Sequence, residues 1–178
     1  ARFLEYLFRQ NLSVENLIQS DFIVANEIVA NYYGLAGQVD SGFEFMPIVH
    51  NQAHLGGILS QAAVLAGLSD GSEANPVKRG AWFARKIIAE PPDDPPPNVP
   101  ELKDDRGLSL RERLQQHRSV KNCAKCHLGI DPWGLAFEQY DAGGLFVNNC
   151  IDATSELPDG HEVENLNDLR THLANDRM

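Results

Sequence analysis

The chain has 178 residues, enough for one ordinary domain or two small ones, and 43% of them are hydrophobic, which suffices for a buried core and excludes a disordered chain. Acidic residues outnumber basic ones 25 to 15, for a net charge of −10, and no basic stripe interrupts that balance, so neither nucleic acid nor an anionic membrane is expected as a partner. No run of about 18 apolar residues occurs, so no membrane span is expected in this segment.

Phe3, Leu4, Leu7 and Phe8 recur at helical spacing with Arg2, Glu5 and Arg9 opposite, and predict an amphipathic helix. Ser13 is a good cap for a second short helix carrying Val14, Leu17 and Ile18. Asp21 is expected to cap a third, with Phe22, Ala25, Ile28, Val29 and Tyr32 on one face and Gly34 as its stop. The stretch from Phe43 to Ile48 reads as a short strand or a loop. Leu55 to Leu68 reads as a helix of small residues in which Gly56 and Gly57 permit close approach of something bulky. Asp70-Gly71 is a turn signal, and Asn75-Pro76 opens a helix with apolar Trp82, Phe83, Ile87 and Ile88.

Pro91 to Pro100 cannot be helical and is expected to run extended, as a linker or a strap across the surface. Ser109-Leu110-Arg111-Glu112 is a capping box, so a helix starts there and brings Leu110, Leu114 and His117 along one side. Beyond Ile130, the Asp131-Pro132 step reads as a turn, Leu135 to Tyr140 as a short helix, and Leu145 to Ile151 as a strand. Leu157 to Gly160 is a turn, and a last helix from Leu166 to Ala174 aligns Leu166, Leu169 and Leu173.

Between these elements stands Cys123-Ala124-Lys125-Cys126-His127. Two thiols and an imidazole at this spacing are the pattern for covalent attachment of a c-type haem. Each thiol adds across one porphyrin vinyl group, the two intervening residues set the reach, and His127 supplies the proximal axial nitrogen to iron. A zinc site would want four ligands, usually in paired clusters, and only Cys150 remains. A redox dithiol is expected near a βαβ pattern, and none is visible. One covalent haem c is therefore the favoured reading, with a zinc or structural thiol site and a redox dithiol as its alternatives. Cys150 is then a free thiol, expected as a buried bystander.

The other face of the iron decides between an electron carrier, with two protein ligands, and an open-site haem acting as a peroxidase or small-ligand sensor. Candidates for that face are His117, Met46 and His54, with His50, His161, His172 and Met178 behind them. His117 lies ten residues before His127. An extended chain of that length spans ~33 Å, ample to cross a haem, provided that Ser119 to Asn122 form a loop. His161 sits on a polar turn and is expected to be exposed. The second ring nitrogen of His127 is expected to reach a backbone carbonyl of the Asp131-Pro132 turn. Trp133, Phe137 and Tyr140 are candidates to wall the ring, and Arg79, Arg113 and Arg118 to pair with its propionates.

The order of several motifs resembles the planctomycete-type cytochrome-like proteins, large exported multidomain chains built of domains of uncharacterised function. The residues that carry the resemblance are Asn75-Pro76-Val77-Lys78-Arg79-Gly80-Ala81-Trp82, Pro97-Asn98-Val99-Pro100, Leu110-Arg111-Glu112-Arg113-Leu114 with Gln116-His117-Arg118, the Cys-x-x-Cys-His motif, and Ile130-Asp131-Pro132 with Gly134-Leu135-Ala136-Phe137-Glu138. The chain departs from the family at Asp141-Ala142-Gly143-Gly144. Residues 1–50 look like the end of a preceding domain, 51–144 like a central haem c domain, and 145–178 like the start of a following one. The resemblance implies haem c and electron transfer in an exported, for instance periplasmic, protein. The expected partners are the other domains of a longer chain and a redox protein, a basic one if the acidic surface serves docking, and a targeting segment is expected upstream of Ala1. The fold expected is mainly α: a cytochrome c-like helical haem domain with a Pro-rich strap and a short β-hairpin near the C-terminus.

Overall fold

The computed structural model describes residues 1–93, 107–148 and 150–176, so most of the Pro-rich segment, from Asp94 onward, lies outside the described residues. The first helix, α1 (Arg2–Arg9), buries Phe3 and Leu7, and a 3-10 turn (Val14–Leu17) capped by Ser13 follows it. The apolar stripe from Phe22 to Tyr32 is not one helix. It splits into strand β1 (Phe22–Ala25) and helix α2 (Glu27–Tyr32), because Asn26 Oδ1 accepts the Val29 N–H at 3.0 Å and starts the helix there. The run Phe22-Ile23-Val24 suits a pleated, half-buried strand, and β1 pairs antiparallel with β2 (Met46–Val49), placing buried Ile23 opposite buried Ile48.

The expected helix over Leu55 to Leu68 is also divided, into a 3-10 turn (Ile58–Ser60) and α3 (Ala62–Gly67). Gly56 and Gly57 have φ of +110° and +67°, which no helix accommodates. A Cβ at Gly56 would stand 2.0 Å from the Ser20 carbonyl oxygen, so what approaches these glycines is the backbone of residues 18–20. Helix α4 (Pro76–Lys86) starts as its sequence requires, with Asn75 Oδ1 accepting the Lys78 N–H and Pro76 in the first turn. Helix α5 (Leu110–Arg118) begins with the reciprocal Ser109–Glu112 capping box.

Helix α6 (Lys121–Leu135) runs straight through Asp131-Pro132, where a turn was expected, and the segment after Leu135 is turn rather than helix. Pro132 cannot donate to the carbonyl of Leu128, but Leu128 is 60% exposed, on the solvent side of the helix. The packing of α6 on α4 outweighs that lost bond. The two helices cross backbone to backbone: a Cβ at Gly134 would lie 1.9 Å from the Pro76 carbonyl oxygen, and one at Gly80 would lie 2.0 Å from that of Ile130. Trp133 stacks on Phe83 at 5.0 Å, Phe137 meets Phe83 edge-on, and Trp133, Phe137 and Tyr140, the three aromatics singled out after the motif, are core residues. Arg79 is buried beneath them and donates to the carbonyls of Phe137, Tyr140 and Asp141 at 3.1, 2.9 and 2.6 Å, tying α4 to the chain that leaves α6.

Among the described residues from Leu145 to Ile151 there is no strand. Only an isolated bridge joins Tyr140 to Phe146, and Asn148 Oδ1 turns the chain by accepting the Cys150 N–H. The short hairpin is β3 (Ser155–Glu156) with β4 (Glu162–Val163), closed over Leu157 to Gly160 as the turn signal required. Helix α7 (Leu166–Asp176) packs Leu166, Leu169 and Leu173 into the core that also holds Phe83, Trp133, Phe137 and Ile18. The architecture is mainly α, with two small antiparallel sheets.

The crossing makes two glycines of one helix respond in opposite directions. Gly134→Ala should destabilise by about 1–3 kcal/mol or more in urea unfolding, since a backbone must shift. Gly129→Ala, where nothing lies within 4 Å, should be neutral or stabilise by up to about 1 kcal/mol. Equal effects would contradict the close crossing.

Candidate functional site

Only Ser119 and Val120 separate α5 from α6, so the two helices form a tight elbow. Of the four residues Ser119 to Asn122, whose looping was the proviso for His117 to cross a haem, the last two belong to the first turn of α6. This brings the end of α5 against the Cys-x-x-Cys-His turns. Cys123, His127 and Asp131 recur every fourth residue and share one stripe of α6, while Cys126 lies one turn from Cys123. Cys123 and Cys126 are half-buried free thiols.

His127 is fixed from two sides. Its Nδ1 is 2.9 Å from Asp131 Oδ1, and its ring meets that of His117 edge to face, 4.7 Å between centroids. The side chain of Asp131 is 0% exposed and that of His127 13%. An ionised carboxylate only accepts, so Nδ1 carries the proton and the lone pair of Nε2 is the one left for a metal. The partner is therefore the Asp131 side chain and not a backbone carbonyl of a turn. The i, i+4 spacing held the signal, concealed by the proline that follows. Arg118 Nε lies 3.8 Å from the other oxygen of Asp131, an ion pair without a hydrogen bond. Burial, then the neighbouring His127, holds the His117 imidazole below its ordinary range, while Asp131 acts in the opposite sense.

The three candidates for the far side of an iron are placed apart. His117 packs beside His127. Met46 sits in β2 opposite Ala25, 41% exposed. His54 stacks on Phe146 at 4.1 Å, and its carbonyl accepts from the Tyr140 hydroxyl. His161 is exposed and stacks on His172, whose Nε2 is 3.0 Å from Asp159. Met178 lies outside the described residues. Cys150 is exposed, contrary to the buried position expected of it, because the Asn148 turn projects it from the surface. Of the arginines, Arg79 is committed to carbonyls, Arg113 pairs with Glu73 at 3.0 Å, and Arg118 faces Asp131.

These donors suit a c-type haem. Two free thiols one helical turn apart flank an imidazole whose Nε2 is uncommitted, and a porphyrin brings four nitrogens of its own, so one protein nitrogen suffices on that face. Among the described residues, no group of three or more His, Cys, Asp or Glu side chains converges as a metal cluster would require, and no helix is long and apolar enough to cross a membrane.

A family model matches residues 55–149, just over half of the chain: PSCyt3, described as a protein of unknown function (DUF1588). The chain belongs to the PSCyt3 family. This is a planctomycete cytochrome-like family, so the resemblance drawn from the motifs holds at that level. The PSCyt3 span takes in the Gly80–Gly134 crossing and the whole stretch from His117 to Asp131. No curated protein and no solved structure matches the chain.

His50 and His54 add a pH dependence to this PSCyt3 chain. Burial holds both imidazoles below their ordinary value; Arg170 adds to this at both, while Asp21 opposes it at His50. The unfolded chain binds their protons near pH 6.5 and the folded protein only below that, so their contribution is present above about 6.5 and is lost as pH falls. The urea midpoint should drop between about pH 7.5 and 5.5, and His54→Phe, which keeps a ring against Phe146, should narrow the drop. An unchanged drop in that variant would refute the assignment.

Proposed function

We propose that this PSCyt3 chain is a c-type cytochrome module. One haem c is joined by thioethers to Cys123 and Cys126 and ligated by His127, for one-electron transfer within an exported multidomain protein. The observation that carries this reading is the His127 ring: its Nδ1 is engaged at 2.9 Å by a buried carboxylate, beside two unpaired thiols, which leaves Nε2 for iron. The haem, when bound, supplies the one-electron iron couple. The chain's own part is to attach and orient it. Cys123 and Cys126 anchor its edge, Asp131 fixes the tautomer and orientation of His127, and His117 limits rotation of the ring. The Phe83–Trp133–Phe137 core anchors the C-terminal end of α6, the helix that bears the ligand. Thioether attachment takes place outside the cytoplasmic membrane, which supports an exported, for instance periplasmic, location. The net charge of −10 supports docking to a basic redox protein.

The test is to export the protein in a host that attaches haem c, then to measure intact mass, reactive thiols and the optical spectrum. The expected result is a mass raised by one haem, one reactive thiol (that of Cys150), and a reduced spectrum of c type. Three reactive thiols with no added mass would overturn the proposal. A low-spin iron indifferent to cyanide and carbon monoxide supports the electron carrier, and a high-spin iron that binds them would replace it with an open-site peroxidase or sensor.

A further inference from the structure

The carboxylate behind His127 is built for more than holding a ring. A backbone carbonyl would satisfy Nδ1–H equally well and carry no charge. Here the acceptor is Asp131, fully buried in the middle of a helix, with one oxygen on His127 and the other without a hydrogen bond, 3.8 Å from Arg118. A buried charge is expensive to keep unless it is paired, and this one is paired with the proximal imidazole and, more loosely, with a cation. Every rotation of His127 that abandons it would strand a carboxylate in the protein interior.

We propose that Asp131 is a positioning residue that lowers the reduction potential of an iron on His127, with Arg118 as its counterweight. The inference rests on the haem reading above. Taking up one electron from a one-electron donor lowers the positive charge on iron, and no bond forms or breaks. The Nδ1 proton stays on His127 in both states. A fixed anion behind the imidazole stabilises the more positive, oxidised iron and makes the ring a stronger donor, so the oxidised form is favoured. Arg118, opposite in sign, acts the other way. A residue that merely closed a gap in α6 would do neither.

Three measurements test this. Asp131→Asn keeps the shape and an acceptor but removes the charge. In redox titration of the haem-loaded protein it should raise the midpoint by tenfold or more in the reduced-to-oxidised ratio, which is 59 mV for a one-electron couple. Arg118→Gln should move it the opposite way, a pairing of signs that loosened packing would not give. In the apoprotein, nitrogen NMR of the wild-type His127 ring should show Nδ1 protonated and Nε2 bare. A haem-loaded Asp131→Asn protein at the wild-type potential, shifts of the same sign in both variants, or an Nε2–H tautomer would each overturn this inference while leaving haem attachment intact. A wild-type protein that takes up no haem in an attaching host would instead overturn the functional reading, and the potential-setting role with it.

Discussion

Gly80 and Gly134 face each other across α4 and α6, and a side chain on either would overlap a carbonyl of the opposite helix. That contact fixes the distance between the helices and also the rotation of α6 about its own axis. With Gly134 turned to α4, Trp133 stacks on Phe83, and every residue from Ile130 to Phe137 is buried. Among the described residues, the first half of the same helix meets the end of α5 and, through Lys125, Asp93, and Cys123, Cys126 and His127 stay half-buried. One helix is thus core at its C-terminal end and accessible at its N-terminal end, and Asp131 stands just inside the boundary. Burying two large aromatics is worth about 1.5–3 kcal/mol each, enough to outweigh the one helical bond that Pro132 removes.

Three starts that rest on a side chain bonding backbone a few residues away were legible, whereas the Asn26 cap and the Asn148 turn, equally local, were not. Ser13, Asn75-Pro76 and the Ser109–Glu112 box all start their elements where expected, since capping is local chemistry. Elements that depend on a distant partner were illegible. The split of residues 22–32 into β1 and α2 requires β2, some twenty residues on, to receive the strand. Gly56 and Gly57 are legible as glycines that something approaches, but not as partners of residues 18–20. The Asp131-Pro132 step misled for a related reason. Proline disfavours helix in the residue before it, but that preference is small beside the packing of α6 on α4, which the local sequence does not reveal.

The elbow between α5 and α6 shows how a short connection shapes chemistry. With two residues between the helices, the last turn of α5 lies against the His127 flank of α6. His117 therefore buttresses that ring edge to face, and Arg118, next along, faces the Asp131 carboxylate. Spacing along the chain permitted His117 to reach across a ring. With α6 starting at Lys121, the His117 ring lies beside that of His127.

A net charge of −10 invites the view that the acidic surface governs the electrostatics of His127, but distance and screening argue otherwise. Exposed charges more than about 10 Å away are largely cancelled by salt at 0.1 M, and even near ones act through water. Asp131 is shielded from both. Two unit charges 4 Å apart interact about four times more strongly at the dielectric typical of a protein near its surface than in bulk water. One buried carboxylate in hydrogen-bond contact with the ring therefore outweighs many surface ones, and Arg118, partly exposed and without a hydrogen bond to it, offsets it only in part. The surface charge and the buried charge act at different stages: the first on what approaches from solution, the second on the imidazole itself.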